Sequence, residues 1–188
     1  MRILFIDNYD SFTFNVVELL RPFAEVELTI VKNDELEGVS LGNFDRLIIS
    51  PGPNLPFAAN GLMEFLNTDF GIKPTLGICL GHQAIAQIIG GKLKQYENPK
   101  HGEKQILSVL KQGVLFKDLP PNFEVGLYHS WYVNKEGLPD GLQITAENED
   151  GIIMAMQHKE LPIHSVQFHP ESFMSEYGRE ILHNFLYS

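Results

Sequence analysis

One cysteine stands in 188 residues, and that scarcity is the first constraint on the chain. A single thiol excludes an internal disulfide and suits a reducing compartment. Positive charge is also short: 14 Lys and Arg against 24 Asp and Glu leave a formal net charge of −10. Nucleic acid and anionic membrane surfaces recruit basic patches, so neither is expected as a partner. No apolar run approaches the ~20 residues that span a bilayer. The opening apolar run, residues 3–6, meets Asp7 at once, unlike the longer apolar core of a signal peptide. These absences predict a cytoplasmic protein that acts on a small molecule or with a protein partner.

What is present is ordinary for a globular chain, with 44% apolar and 20% charged residues. The length suits one domain, expected to span 1–188. Short apolar runs at 3–6, 26–31, 47–49 and 75–79 read as strands, and the stretches 12–23, 61–66 and 84–89 between and after them carry helical spacing. Such alternation implies an α/β fold, a largely parallel open sheet with helices on both faces. The second half is richer in strands (105–110, 124–133, 142–146, 153–157 and 163–168), separated by Pro- and Gly-containing turns and followed by a helix near 175–186. A mixed sheet with an antiparallel portion is therefore expected. Ligands of open α/β sheets bind beyond the carboxyl ends of the strands, where Asp7, Gly52 and Cys79 fall.

The cysteine occupies a telling place. Gly77-Ile78-Cys79-Leu80-Gly81 lies between a strand and a helix and has the form of a nucleophile elbow, with sulfur in place of a hydroxyl. Glycines on either side leave room for a strained turn, and the helix N-terminus favours an anion. The competing reading is a buried core cysteine, a common fate of free thiols. A thiol nucleophile needs a base, and His169-Pro170-Glu171, at the end of an apolar strand, offers one. His169 would take and return the proton while Glu171 fixes its tautomer. A strand-end histidine beside a solvated glutamate is the plainer alternative. In Pro51-Gly52-Pro53-Asn54 the prolines lack an N–H, so Gly52 and Asn54 are the free donors; Gly52 can turn its amide into the site unobstructed, and Leu80 supplies a second N–H after the nucleophile. The amides of Gly52 and Leu80 suit an oxyanion hole, although Pro-Gly turns after strands are common. The other histidines show no metal-ligand spacing, and no metal is expected.

Taken together, Gly77-Ile78-Cys79-Leu80-Gly81-His82-Gln83 and Phe168-His169-Pro170-Glu171-Ser172 closely resemble segments of the class I, triad-type glutamine amidotransferases. Residues 6–15, 50–53 and 128–130 are similar to the glutaminase subunits that serve chorismate enzymes: component II of anthranilate synthase or of aminodeoxychorismate synthase. The resemblance implies a flavodoxin-like, class I amidotransferase sheet. It implies L-glutamine as substrate, a Cys79 thioester, and Cys79, His169 and Glu171 as the triad. The backbones of Gly52 and Leu80 would bind the oxyanion. Gly52, Pro53, Asn54, Gln83, Ser130 and Trp131 would hold glutamine. No cofactor is implied, and ammonia would pass to a chorismate-binding synthase subunit in a hetero-oligomer of tryptophan or folate biosynthesis. The alternatives are a stand-alone γ-glutamyl hydrolase and a catalytically silent regulatory subunit. Three positions depart from the family pattern: Asn54 stands for a glycine, Glu103 is an extra acid in His101-Gly102-Glu103-Lys104, and Trp131 stands for a smaller residue.

Overall fold

A computed structural model describes residues 1–188, apart from the side chains of Asp69 and Asn98. Its centre is a nine-stranded mixed sheet in the order β2-β1-β3-β4-β9-β8-β7-β5-β6. The parallel part comprises β1 (Arg2–Asp7), β2 (Glu27–Lys32), β3 (Arg46–Ile49), β4 (Thr75–Ile78) and β9 (Ile163–Val166). The antiparallel extension is built from β8 (Ile153–His158), β7 (Leu142–Asn148), β5 (Leu93–Val109) and β6 (Asn122–Val133). Among the described residues no helix is long and apolar enough to cross a membrane.

The alternation of side chains along β1 divides the core. Ile3 and Phe5 face one layer, formed with Val16 and Leu20 of α1 (Thr13–Leu20) and Ile181, Leu182 and Phe185 of α4 (Gly178–Leu186). Leu4 and Ile6 face the other, with Leu62 and Phe65 of α2 (Leu62–Asp69) and Ala84 and Ile85 of α3 (Leu80–Ile88). Both faces of the inner parallel strands are covered, and β3, β4 and β9 are buried at every position. The expected α/β architecture is the one observed.

Several boundaries differ from the sequence reading, among them the helix expected at 84–89, which begins at Leu80. The strand expected at 105–110 begins at Leu93, so His101-Gly102-Glu103-Lys104 lies within β5 rather than in a loop. Its first half is polar and pairs with β6 through register shifts around Pro99 and Gly102, so backbone pairing holds a segment that lacks apolar alternation. The strand expected to reach Phe168 stops at Val166, and the last helix starts at Gly178 rather than near 175.

Candidate active site

Cys79 follows β4 and directly precedes the first residue of α3, with φ 52° and ψ −99°. This is a strained conformation for a residue with a Cβ, and it is held from both sides. The Cys79 N–H donates to Val166 O at 2.8 Å, while its carbonyl accepts from Gln83 N at 3.1 Å. A Cβ at Gly77 would stand 2.5 Å from the Gly81 backbone, and one at Gly81 would stand 2.5 Å from Ile49 O. The two glycines let strand and helix meet closely enough to form the elbow. The cysteine is 5% exposed, and its thiol reaches the wall of a cavity rather than bulk solvent.

His169 follows β9, the neighbour of β4 in the sheet. Its backbone N–H donates to Gly126 O at 3.2 Å and its carbonyl accepts from Ser175 Oγ at 2.6 Å. Phe12 and Tyr128 pack edge-on against its ring at centroid distances of 5.5 and 5.0 Å. The ring Nδ1 donates to Glu171 Oε1 at 2.6 Å, leaving Nε2 as the nitrogen free to exchange a proton. Burial works against the charged ring, but the neighbouring Cys79 and Glu171 outweigh it and hold the imidazole well above its usual pKa of 6.5. Nε2 is buried and has no hydrogen-bond partner of ordinary geometry. A Cβ at Gly178 would stand 1.8 Å from Pro170 O, so the start of α4 presses directly on the His-Pro-Glu segment.

A cavity of about 530 Å³ opens beside the thiol. Gly52, Pro53, Asn54, Cys79, Gln83, Ser130 and Trp131 all line it, which gathers every residue expected to hold substrate. Gly52 lies against Leu80 and Asn8: a Cβ there would be 2.7 Å from Leu80 Cδ1 and 2.8 Å from Asn8 Cβ. Asn8 is itself locked, its backbone N–H donating to Ser50 Oγ at 2.9 Å and its side-chain amide to Ser50 O at 3.0 Å. The N–H of Leu80, at the first helical position, is one that a helix leaves without an internal acceptor. Gly52 and Leu80 therefore meet beside the cavity that the thiol lines. Such a set can take a proton from sulfur and receive a developing oxyanion.

Other lining residues escaped the sequence reading. Asp10, Gln95, His101, Tyr128 and His129 face the same cavity. Register places His101 opposite Tyr128 across β5 and β6, and His101 Nε2 lies 3.5 Å from Ser130 Oγ. The signal was a strand pairing that only the fold reveals. His129 Nδ1 donates to Trp131 O at 2.8 Å. Burial lowers the His129 pKa to about 4 and that of His82, beneath the elbow, to about 3, so both rings are neutral near pH 7.

The family model described as glutamine amidotransferase class-I matches residues 4–188. The chain belongs to this family of enzymes. Within it, the chain is 45% identical over 188 residues to anthranilate synthase component 2 of Azospirillum brasilense, covering 98% of this chain and 94% of that protein. It is 42% identical over 190 residues to aminodeoxychorismate/anthranilate synthase component 2 of Bacillus subtilis strain 168, covering 98% and 95%. A solved glutamine amidotransferase from Thermotoga maritima shares the fold, with a TM-score of 0.75 at 18% identity over 91% of this chain and 76% of that one.

Proposed function

We propose that the chain is the glutaminase subunit of a chorismate-using synthase, with anthranilate synthase the favoured assembly. It hydrolyses L-glutamine to glutamate and ammonia through a Cys79 thioester, and the ammonia passes to a separate synthase subunit. The observation that carries this reading is the single cavity shared by Cys79 and the six expected glutamine contacts, with the buried His169–Glu171 pair behind the thiol. The names and near full-length coverage of the two component 2 relatives support the synthase assignment.

In this mechanism His169 accepts the Cys79 proton and the thiolate attacks the side-chain amide carbon of glutamine. The carbonyl oxygen becomes an oxyanion between the N–H groups of Gly52 and Leu80. On collapse, the carbon–nitrogen bond breaks and His169 Nε2 protonates the leaving nitrogen, releasing ammonia. Water then gives a proton to His169 and adds to the thioester carbonyl, and glutamate leaves as the proton returns to sulfur. Glu171 keeps Nδ1 protonated throughout, so Nε2 remains the working nitrogen. The cavity's Ser130, Gln83 and residues 52–54 would position the α-amino and carboxylate groups. No cofactor is required of this chain.

The test is to combine the chain with an anthranilate-forming synthase subunit and, separately, with an aminodeoxychorismate-forming one. Glutamine-dependent anthranilate is the expected product, with glutaminase activity rising on assembly. The double name of the Bacillus subtilis relative favours a second reading, in which one subunit serves both synthases. Product with the second synthase alone moves the assignment to the aminobenzoate route. Full glutaminase activity that no synthase changes, or turnover of γ-glutamyl peptides by the chain alone, overturns the coupling.

A further inference from the structure

We propose that the side-chain amide of Gln167 donates a hydrogen bond to the Cys79 sulfur and favours its thiolate, in an orientation imposed by Gln83 and the Trp131 carbonyl. The inference rests on Cys79 being the nucleophile, and it assigns a third side chain, beside His169 and Glu171, to the state of that sulfur.

Two backbone hydrogen bonds bring Gln167 to the thiol. The chain bends just beyond β9, where Phe168 packs into the apolar core and Gln167 and His169 are buried on either side of it in sequence. The Gln167 N–H donates to Met154 O at 2.8 Å, and Cys79 N donates to Val166 O at 2.8 Å, which fixes both backbones beside one another. Gln167 Nε2 then lies 3.7 Å from Cys79 Sγ.

The orientation of the amide follows from its partners rather than from choice. The Trp131 carbonyl can only accept, so the Gln83 group 2.8 Å away must be its NH₂. That same Nε2 is 3.2 Å from the Gln167 side chain, so the atom it meets must be oxygen. With its oxygen committed to Gln83, Gln167 has only its NH₂ left to face sulfur. Reversing Gln167 would set two NH₂ groups against each other and a carbonyl oxygen against the sulfur. Reversing Gln83 would set its oxygen against the Trp131 carbonyl. The relay therefore has one satisfactory polarity, and it points N–H bonds at the thiol.

Burial gives this contact weight. Gln167 is fully buried, and Gln83 and Cys79 are nearly so, which leaves little room for water to substitute as donor. A donor to an ionised acceptor is about twice as strong as one to a neutral acceptor, so the bond favours the thiolate over the thiol. The negative charge leaves the sulfur once the thioester forms, and the bond weakens with it. Gln167 thus acts on the resting nucleophile, and it touches no part of the cavity that receives substrate.

The single cysteine makes the test specific, because iodoacetamide labelling in the folded protein reports Cys79 alone. Labelling rates are measured across pH in the parent, in Gln167→Met and in Gln167→Glu. The midpoint is expected to rise by about one unit in Gln167→Met, about a tenfold loss of thiolate near neutral pH. Gln167→Glu retains the size and still accepts from Gln83 but turns negative charge on the sulfur, so its midpoint is expected to rise further. Glutamine kcat near neutral pH should fall while KM stays close to the parent value. An unchanged midpoint in the folded Gln167→Glu protein overturns the proposal, as does a fall in KM-dependent binding alone. Cys79→Ser separates the two readings: retained glutamine hydrolysis overturns the nucleophile, whereas its loss alongside unshifted labelling profiles overturns only the Gln167 bond.

Discussion

The parallel and antiparallel parts of the sheet meet at β9 and contribute to the site by different means. Strands β3, β4 and β9 are buried throughout, so their side chains are committed to packing. At their carboxyl ends the chain offers the strained elbow that carries the Cys79 thiol, the backbone of Gly52 and Leu80, and the buried His169–Glu171 pair. The antiparallel ribbon of β5 and β6 has mixed burial, so its side chains remain free to line the cavity as Gln95, His101, Tyr128, Ser130 and Trp131. A region covered on both faces places backbone with little freedom, whereas a half-covered one supplies varied side chains. On the proposed reading, the parallel edge supplies the reacting groups and shares the holding of substrate with the antiparallel wall.

The largest expected effect lies at the parallel edge. Cys79→Ala should lower glutamine hydrolysis by ~10⁴ or more, measured as ammonia release by the assembled complex. Gly52→Ala should lower kcat by about 10²–10³, since its Cβ would press on Leu80 and Asn8 and displace the proposed oxyanion donor. Ser130→Ala, on the other wall, should raise the KM for glutamine by about tenfold and change kcat less. A Ser130 variant that loses kcat with unchanged KM would break the division of labour.

The smallest expected effect is on stability, and it reaches both parts of the sheet. Burial lowers the pKa of His82 to about 3 and those of His129 and His164 to about 4. The unfolded chain takes up protons at these positions below about pH 6.5 that the folded chain refuses, so stability falls as pH drops from there toward 4. His169 has the opposite sense: its raised pKa stabilises the fold below about 6.5, and that contribution is lost as pH rises through the folded value. Urea midpoints at pH 7.5 and 5.0 should differ less in His164→Asn than in the parent. An equal difference would assign the acid sensitivity to other groups.

Much of this was legible in the chain because β1, β3 and β4 are short, mostly apolar runs that lead directly into the candidate site residues. The elbow glycines could be read for the same reason, since close packing of strand on helix forbids a Cβ. The first half of β5 was not legible: it is polar and bulged, and its partner strand supplies the reason for its extended form. His101 and Tyr128 were hidden with it, because cross-strand register is not a local signal. Gln167 was obscured for another reason. Its neighbours in the relay, Gln83 and Trp131, lie 84 and 36 residues away, and only the assembled carbonyl gives the amides their direction.

The left-handed conformation at Cys79 sets reactivity and durability at odds. At φ 52° glycine is the residue the backbone prefers, and holding a side chain there costs on the order of 1–3 kcal/mol. Cys79→Gly should therefore yield a catalytically dead chain that melts no lower than its parent. Selection for heat resistance alone would erode this thiol; on the proposed mechanism, turnover is the demand that keeps it in place.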